Sequence, residues 1–222
     1  MRGSTSVRWV GVLLTLIAGS SEGRAEVGER GLSVGARSGV GFPIGALARN
    51  DPLSGNFGTM IPIWIDAGYR LNEAIFLGAY VQWAKLSIAG DVCPGNLSCS
   101  GQGVRFGLEA HWHFRKMDAE GEGGRFDPWV GAGAGYEYAT INLETLLGAR
   151  SSETNHGFEY LNLQLGGDYT WGPWHVGGFA AGALGEYVRR SQTVPTGTRA
   201  FTIPDPAAHF WLIVGLRGQY DW

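Results

Sequence analysis

The sequence predicts an all-β fold: a single eight-stranded antiparallel transmembrane β-barrel behind an N-terminal signal peptide. Three observations predict it. Glycine makes up 37 of 222 residues and aromatics 12%, while charged residues are only 17%, against about 7% glycine and 25% charged residues in ordinary domains. Apolar and polar residues alternate strictly through most of the chain after residue 30, the period of a strand. No apolar run approaches the ~18–20 residues that a membrane helix requires, and mean hydropathy is −0.05. A net charge of −3 argues against electrostatic nucleic-acid binding. Two cysteines are too few for a disulfide scaffold or a four-cysteine zinc site.

Residues 1–25 read as an export address. Arg2 and Arg8 give a positive region ahead of the apolar stretch Trp9–Gly19, and Gly23-Arg24-Ala25 makes an acceptable cleavage site, with Ala18-Gly19-Ser20 as competitor. Residues 26–222 then form one domain. Export implies an oxidising compartment, in which Cys93 and Cys99 are expected to form a disulfide across five intervening residues.

The clearest strand is Val104–Phe114. Val104, Phe106, Leu108, Ala110, Trp112 and Phe114 share one face; Arg105, Gly107, Glu109, His111 and His113 share the other. The same alternation runs through 32–42, 61–70, 75–84, 128–139, 161–170 and 210–222. The segment 174–188 is ambiguous in phase. Placing Phe179, Ala181, Ala183 and Tyr187 on its apolar face puts Glu186 on the polar one. Links at 43–58, 86–101, 141–157 and 190–207 read as long, those at 71–74 and 171–173 as short, and 115–127 as intermediate.

The polar faces carry Arg37, Asp66, Arg70, Arg105, Glu109, Glu137, Asp168, Glu186, Arg217 and Asp221, whereas the apolar faces carry charge only at their ends, at Lys85 and Glu159. A soluble sandwich or calyx wets its polar faces. Here those faces also hold Trp64, Phe76, Tyr80, Trp129 and Trp211 interleaved with glycine, which suits a narrow lumen where large and small side chains interlock. The apolar faces then meet lipid, where every backbone group needs a partner and only a closed sheet serves. The ten charges are expected to pair within the lumen, the four arginines bridging the six acids.

The chain closes on Val214-x-Leu216-x-Gly218-x-Tyr220-x-Trp222. With the export signal and the hairpin rhythm, this resembles the small eight-stranded bacterial outer-membrane proteins of the OmpA-barrel, OmpX and OmpW types. The resemblance implies an outer-membrane location, periplasmic termini and long loops on the outside. It also implies recognition of Val214, Leu216, Tyr220 and Trp222 by the barrel-assembly machinery. The expected partners are outer-membrane lipid, that machinery and a loop partner the sequence does not identify; a monomer without cofactor is expected.

Three functions compete: a structural or interaction protein that anchors its loops, an OmpW-like channel or binder for small hydrophobic molecules, and a lipid-modifying enzyme. The last is disfavoured because the His-x-Ser pair of lipid A deacylases occurs nowhere; His111 is followed at that spacing by His113. Ser151, Ser152 and His156 share a loop without anything to fix a nucleophile–base geometry. Glu109, His111 and His113 put three metal-ligating side chains on one strand face, but alternate residues lie about 6.5–7 Å apart. Convergence needs a partner strand, and His175 serves only if its strand has the opposite phase. No metal is expected.

Overall fold

The computed structural model describes residues 31–90, 92–94, 97–114, 117–118, 125–145 and 147–222; the predicted signal peptide at 1–25 lies outside them. Eight long antiparallel strands form the wall: β1 Gly31–Ala48, β2 Phe57–Arg70, β3 Ile75–Ile88, β4 Leu97–His113, β5 Arg125–Thr145, β6 Arg150–Trp171, β7 Trp174–Val194 and β8 Ala208–Asp221. Each pairs with the next in sequence, and β8 pairs with β1, so the sheet closes into a ring.

The register sets the bore. Paired residues followed round the ring from Ser33, through Gly68, Gly78, Glu109, Gly133, Asn162, Ala183 and Trp211, return to β1 at Pro43, ten residues further on. With eight strands, that stagger gives a tilt of roughly 40° and a backbone radius of roughly 8 Å. Such a bore holds side chains and little else.

Burial is inside-out relative to a soluble protein. Leu108 is 71% exposed and Leu216 72%, while Arg37 and Arg217 are each 2% exposed. An apolar belt of this kind encircles all eight strands, far larger than the few hundred Å² that soluble monomers tolerate. Water is the wrong solvent for this surface, and lipid the right one.

Tyr69, Trp112, Phe126, Tyr169, Trp171, Trp174 and Trp222 ring the end that holds the short turns, all substantially exposed, as an interfacial girdle requires.

The wall is uneven in height. β5, β6 and β7 run 21, 22 and 21 residues, against 14 for β2, β3 and β8. The loops expected at 141–157 and 190–207 are therefore largely strand: Leu143 still pairs with Ser151, and Gly197–Thr202 folds back on β7. Polar residues conceal these extensions from a hydrophobic pattern, because above the membrane both faces are wet. The segment 43–58 likewise continues β1 to Ala48, then turns through Asn50 (φ 66°) into a one-turn helix, Leu53–Asn56. Cys93 and Cys99 form the expected disulfide at the start of β4.

Candidate functional site

Nine of the ten predicted lumen charges point inward: Arg37, Asp66, Arg70, Arg105, Glu109, Glu137, Asp168, Arg217 and Asp221. Glu186 does not. Strand β7 has the opposite phase to that expected, so Phe179, Ala181, Ala183 and Tyr187 fill the lumen and Glu186 lies on the outer face toward the loop end. The choice turns on contacts inside the bore. Phe179 packs edge-on against Trp64 at 5.9 Å and Tyr187 stacks on His209 at 4.2 Å, while the outer face of β7 presents Gly178, Ala180 and Gly182. With small residues on both faces, the strand alone carries no preference.

Glu159 shows the converse. Expected at the end of an apolar face, it is 1% exposed and inward. Tyr160 is an extra residue that shifts the register between Glu159 and Leu161. Tyr160 and Leu161 thus both face outward, and Glu159 and Asn162 both face inward. A bulge of this sort breaks strict alternation.

The lumen groups form three layers. At the turn end, Asp221 accepts from Ser33 Oγ at 2.6 Å and pairs with Arg70 Nε at 2.9 Å and His175 Nε2 at 3.0 Å. Asp127 contacts His113 Nδ1 at 2.9 Å. Gln219 bonds to Ser33 and receives a bond from Arg217.

In the middle, Arg37 reaches Asp66 at 2.8 Å, Glu109 at 2.5 Å and Gln164 at 2.5 Å, with its guanidinium 4.7 Å from the centre of the Trp64 ring. Arg217 sits 3.4 Å from Asp168 and 4.2 Å over Trp129. His111 is sandwiched between Phe76 and Trp129, at 5.0 and 4.9 Å.

Nearer the loops, Arg105 bridges Glu137 at 3.2 Å and Glu159 at 3.5 Å; Tyr80 donates to Glu159 at 2.6 Å, and His209 meets Glu137 at 2.5 Å. Each arginine thus holds one or two carboxylates in a setting where an unpaired charge is costly.

Above these layers the bore is closed by apolar groups. Leu47, Leu53, Phe57, Met60, Leu86, Ile141, Ile203 and Ile213 are all at most 4% exposed. The short helix lays Leu53 across the mouth. Its approach is tied down by Arg49 N–H donating to the Asp205 carbonyl at 3.1 Å and by Arg190 reaching Asp51 at 3.4 Å.

Glycine supplies the room for this filling. A Cβ on Gly135 would meet Tyr80 Oη at 2.8 Å, one on Gly131 the His111 ring at 2.6 Å, and one on Gly166 the Trp129 indole at 2.5 Å.

Asp127 and His209 escape the sequence reading because its strands begin one residue later, at Pro128 and Phe210. Extending the parity of Trp129 and Trp211 by one step finds both. His175 is conditional on the phase of β7, which brings it in. The site therefore sets seven acids against four arginines, with His113, His175 and His209 on the remaining carboxylate oxygens. Among the described residues no group of histidine, cysteine and acidic side chains is arranged to hold a metal. At the chain end Val214, Leu216 and Trp222 project outward, 46%, 72% and 49% exposed, with Tyr220 packed edge-on against Trp222.

No protein-family model matches the chain, and no curated protein matches it. Solved structures do. The Neisserial surface protein A is 19% identical, over 84% of this chain and 95% of its own, with a TM-score of 0.45. A major outer membrane protein of Thermus thermophilus is 15% identical, over 87% and 99%, with a TM-score of 0.46. OprG of Pseudomonas aeruginosa is 11% identical, over 87% and 98%, with a TM-score of 0.47. These are likenesses of architecture and transfer no ligand. The class is defined by the chain's own register and inverted burial: a small transmembrane β-barrel of the outer-membrane type, its outer surface in contact with lipid.

Proposed function

We propose that the protein is a non-enzymatic outer-membrane anchor, a monomer whose sealed barrel holds a tall extracellular wall in place for structural or interaction roles. The signal peptide directs export. Val214, Leu216, Tyr220 and Trp222 present the outward row that the barrel-assembly machinery would take up. The observation that carries the reading is the filled lumen: three layers of paired charges under an apolar cap. Ions crossing it would have to displace buried salt bridges, each costly to break. The testing experiment is planar-bilayer conductance of the refolded protein. No steady current is expected; a stable open channel in the wild type overturns the anchor reading.

A second reading, an OmpW-like route or binding place for small hydrophobic molecules, is favoured by one feature. The cap of Leu47, Leu53 and Phe57 is a fully buried apolar cluster just inside the mouth, which such a molecule would have to displace. Protection of the 47–57 segment from proteolysis by an added alkane or aromatic hydrocarbon would support this reading over the first.

A further inference from the structure

The tall side of the barrel carries an outer face unlike the rest. Strands β4 to β7 are in register there, so their outward side chains form rungs. The lowest two are rich in rings: Phe106, Tyr136 and Phe158 in one, and Tyr138, His156 and Arg189 in the next. Tyr138 stacks on His156 at 5.4 Å, and Tyr136 Oη bonds to His156 Nδ1 at 2.6 Å. Directly above comes Gln102, Thr140, Thr154 and Ser191, then Ser100, Asn142, Ser152 and Thr193, then Ser98, Glu144 and Arg150. The upper rungs line an open groove of about 370 Å³. On the opposite side the upper outward positions include the apolar Phe42, Ile44, Ile61 and Leu212, interrupted on β2 and β3 by Thr59, Lys85 and Ser87.

We propose that this face is a binding site for a glycolipid, a membrane lipid whose headgroup is a chain of several sugars. The aliphatic belt runs straight into the ring rungs, so the occupant of the upper face is continuous with the bilayer. The polar rungs rise roughly 15 Å above Tyr138, taking six residues of strand at ~40° tilt. A phospholipid headgroup zone is only about 5–8 Å deep per leaflet, too shallow to cover them. Hydroxyls and amides dominate the groove, and its one arginine already pairs with Glu144 at 3.3 Å. Neutral donors and acceptors match sugar hydroxyls better than a bare phosphate. Exposed rings at the junction suit the apolar faces of the first sugars. The inference rests on the anchor reading and supplies its partner.

The test uses full-length refolded protein in phosphatidylcholine vesicles, with energy transfer from its tryptophans to dansyl-labelled lipooligosaccharide doped into the bilayer. Dansyl-labelled phosphatidylethanolamine is the sugar-free control. Transfer to the glycolipid should exceed that to the control at equal mole fraction. Asn142→Ala with Ser152→Ala should weaken the preference by about tenfold, and Phe42→Leu, on β1 at the opposite side, should leave it unchanged. Heat-modifiable gel migration establishes that each variant is folded; should the double variant not fold, Thr193→Ala replaces it with the same expectation. Equal transfer to both lipids overturns the proposal, as does a preference that survives the polar-rung substitutions. Full competition by the water-soluble oligosaccharide without acyl chains also overturns it, since the site would then read free saccharide. The conductance result is independent, so failure of this site and failure of the anchor reading are told apart.

Discussion

Replacing Arg105 with methionine keeps the stem and removes the charge that holds two carboxylates. Arg105 is 3% exposed and lies 3.2 Å from Glu137 and 3.5 Å from Glu159. Breaking one buried pair costs about 3–5 kcal/mol, because the partner is left charged and uncompensated. Two pairs share this arginine, but their losses do not add: Glu137 keeps His209 at 2.5 Å, and Glu159 keeps the Tyr80 hydroxyl at 2.6 Å. The expected loss is therefore about 3–5 kcal/mol in total. It is read as a shift in the urea midpoint for unfolding from phosphatidylcholine vesicles, followed by tryptophan fluorescence. Adding Glu137→Gln and Glu159→Gln should recover most of the loss, because no buried charge then lacks its partner. Arg150→Ala breaks an exposed pair with Glu144 and should stay within about 0.5 kcal/mol of wild type. An Arg105→Met variant as stable as Arg150→Ala would refute the argument that the lumen charges are buried and mutually dependent.

Gly166→Val places a side chain where the Trp129 indole lies, 2.5 Å from the Cβ position, and should cost about 1–3 kcal/mol with an altered tryptophan spectrum; an unchanged spectrum and midpoint would contradict the packing. The oxidised protein should show no free thiol on denaturation without reductant. Cys93→Ser should leave barrel assembly nearly intact, with a stability loss inside the ~0–5 kcal/mol disulfide range, since the bridge closes a short segment at the loop end of the wall; failure of the variant to assemble would count against a local role. Deleting Trp222 should slow insertion of the exported chain in cells, measured as accumulation of chain that migrates as denatured protein without heating. Insertion at the wild-type rate would show that the terminal row is not what the assembly machinery reads.

Everything that depends on parity within one strand was legible in the order of the residues. In β4, Arg105, Glu109, His111 and His113 must share a face, whatever surrounds them. The side-chain period is two, and a face of six apolar residues cannot exchange places with one carrying charge. The same logic placed Asp66 with Trp64, and Arg217 with Trp211. The inverted burial followed from the large rings interleaved with glycine on the polar faces, and closure from the lipid that the apolar faces then had to meet.

Parity fails where small residues leave both faces permissive, and there the outcome rests on contacts between strands. In β7 the bore had to accept Phe179 against Trp64 and Tyr187 against His209. Those contacts sent Glu186 outside and brought His175 in. In β6 the bulge at Tyr160 reverses parity within the strand and brings Glu159 to Arg105, a change that depends on how β5 and β7 pair on either side. Partners lay further still beyond reach. That Arg37 would take Asp66, Glu109 and Gln164, rather than other acids on the same polar faces, depends on the ten-residue stagger of the closed ring. The stagger sets which inward side chains share a height, and it is a property of the whole sheet.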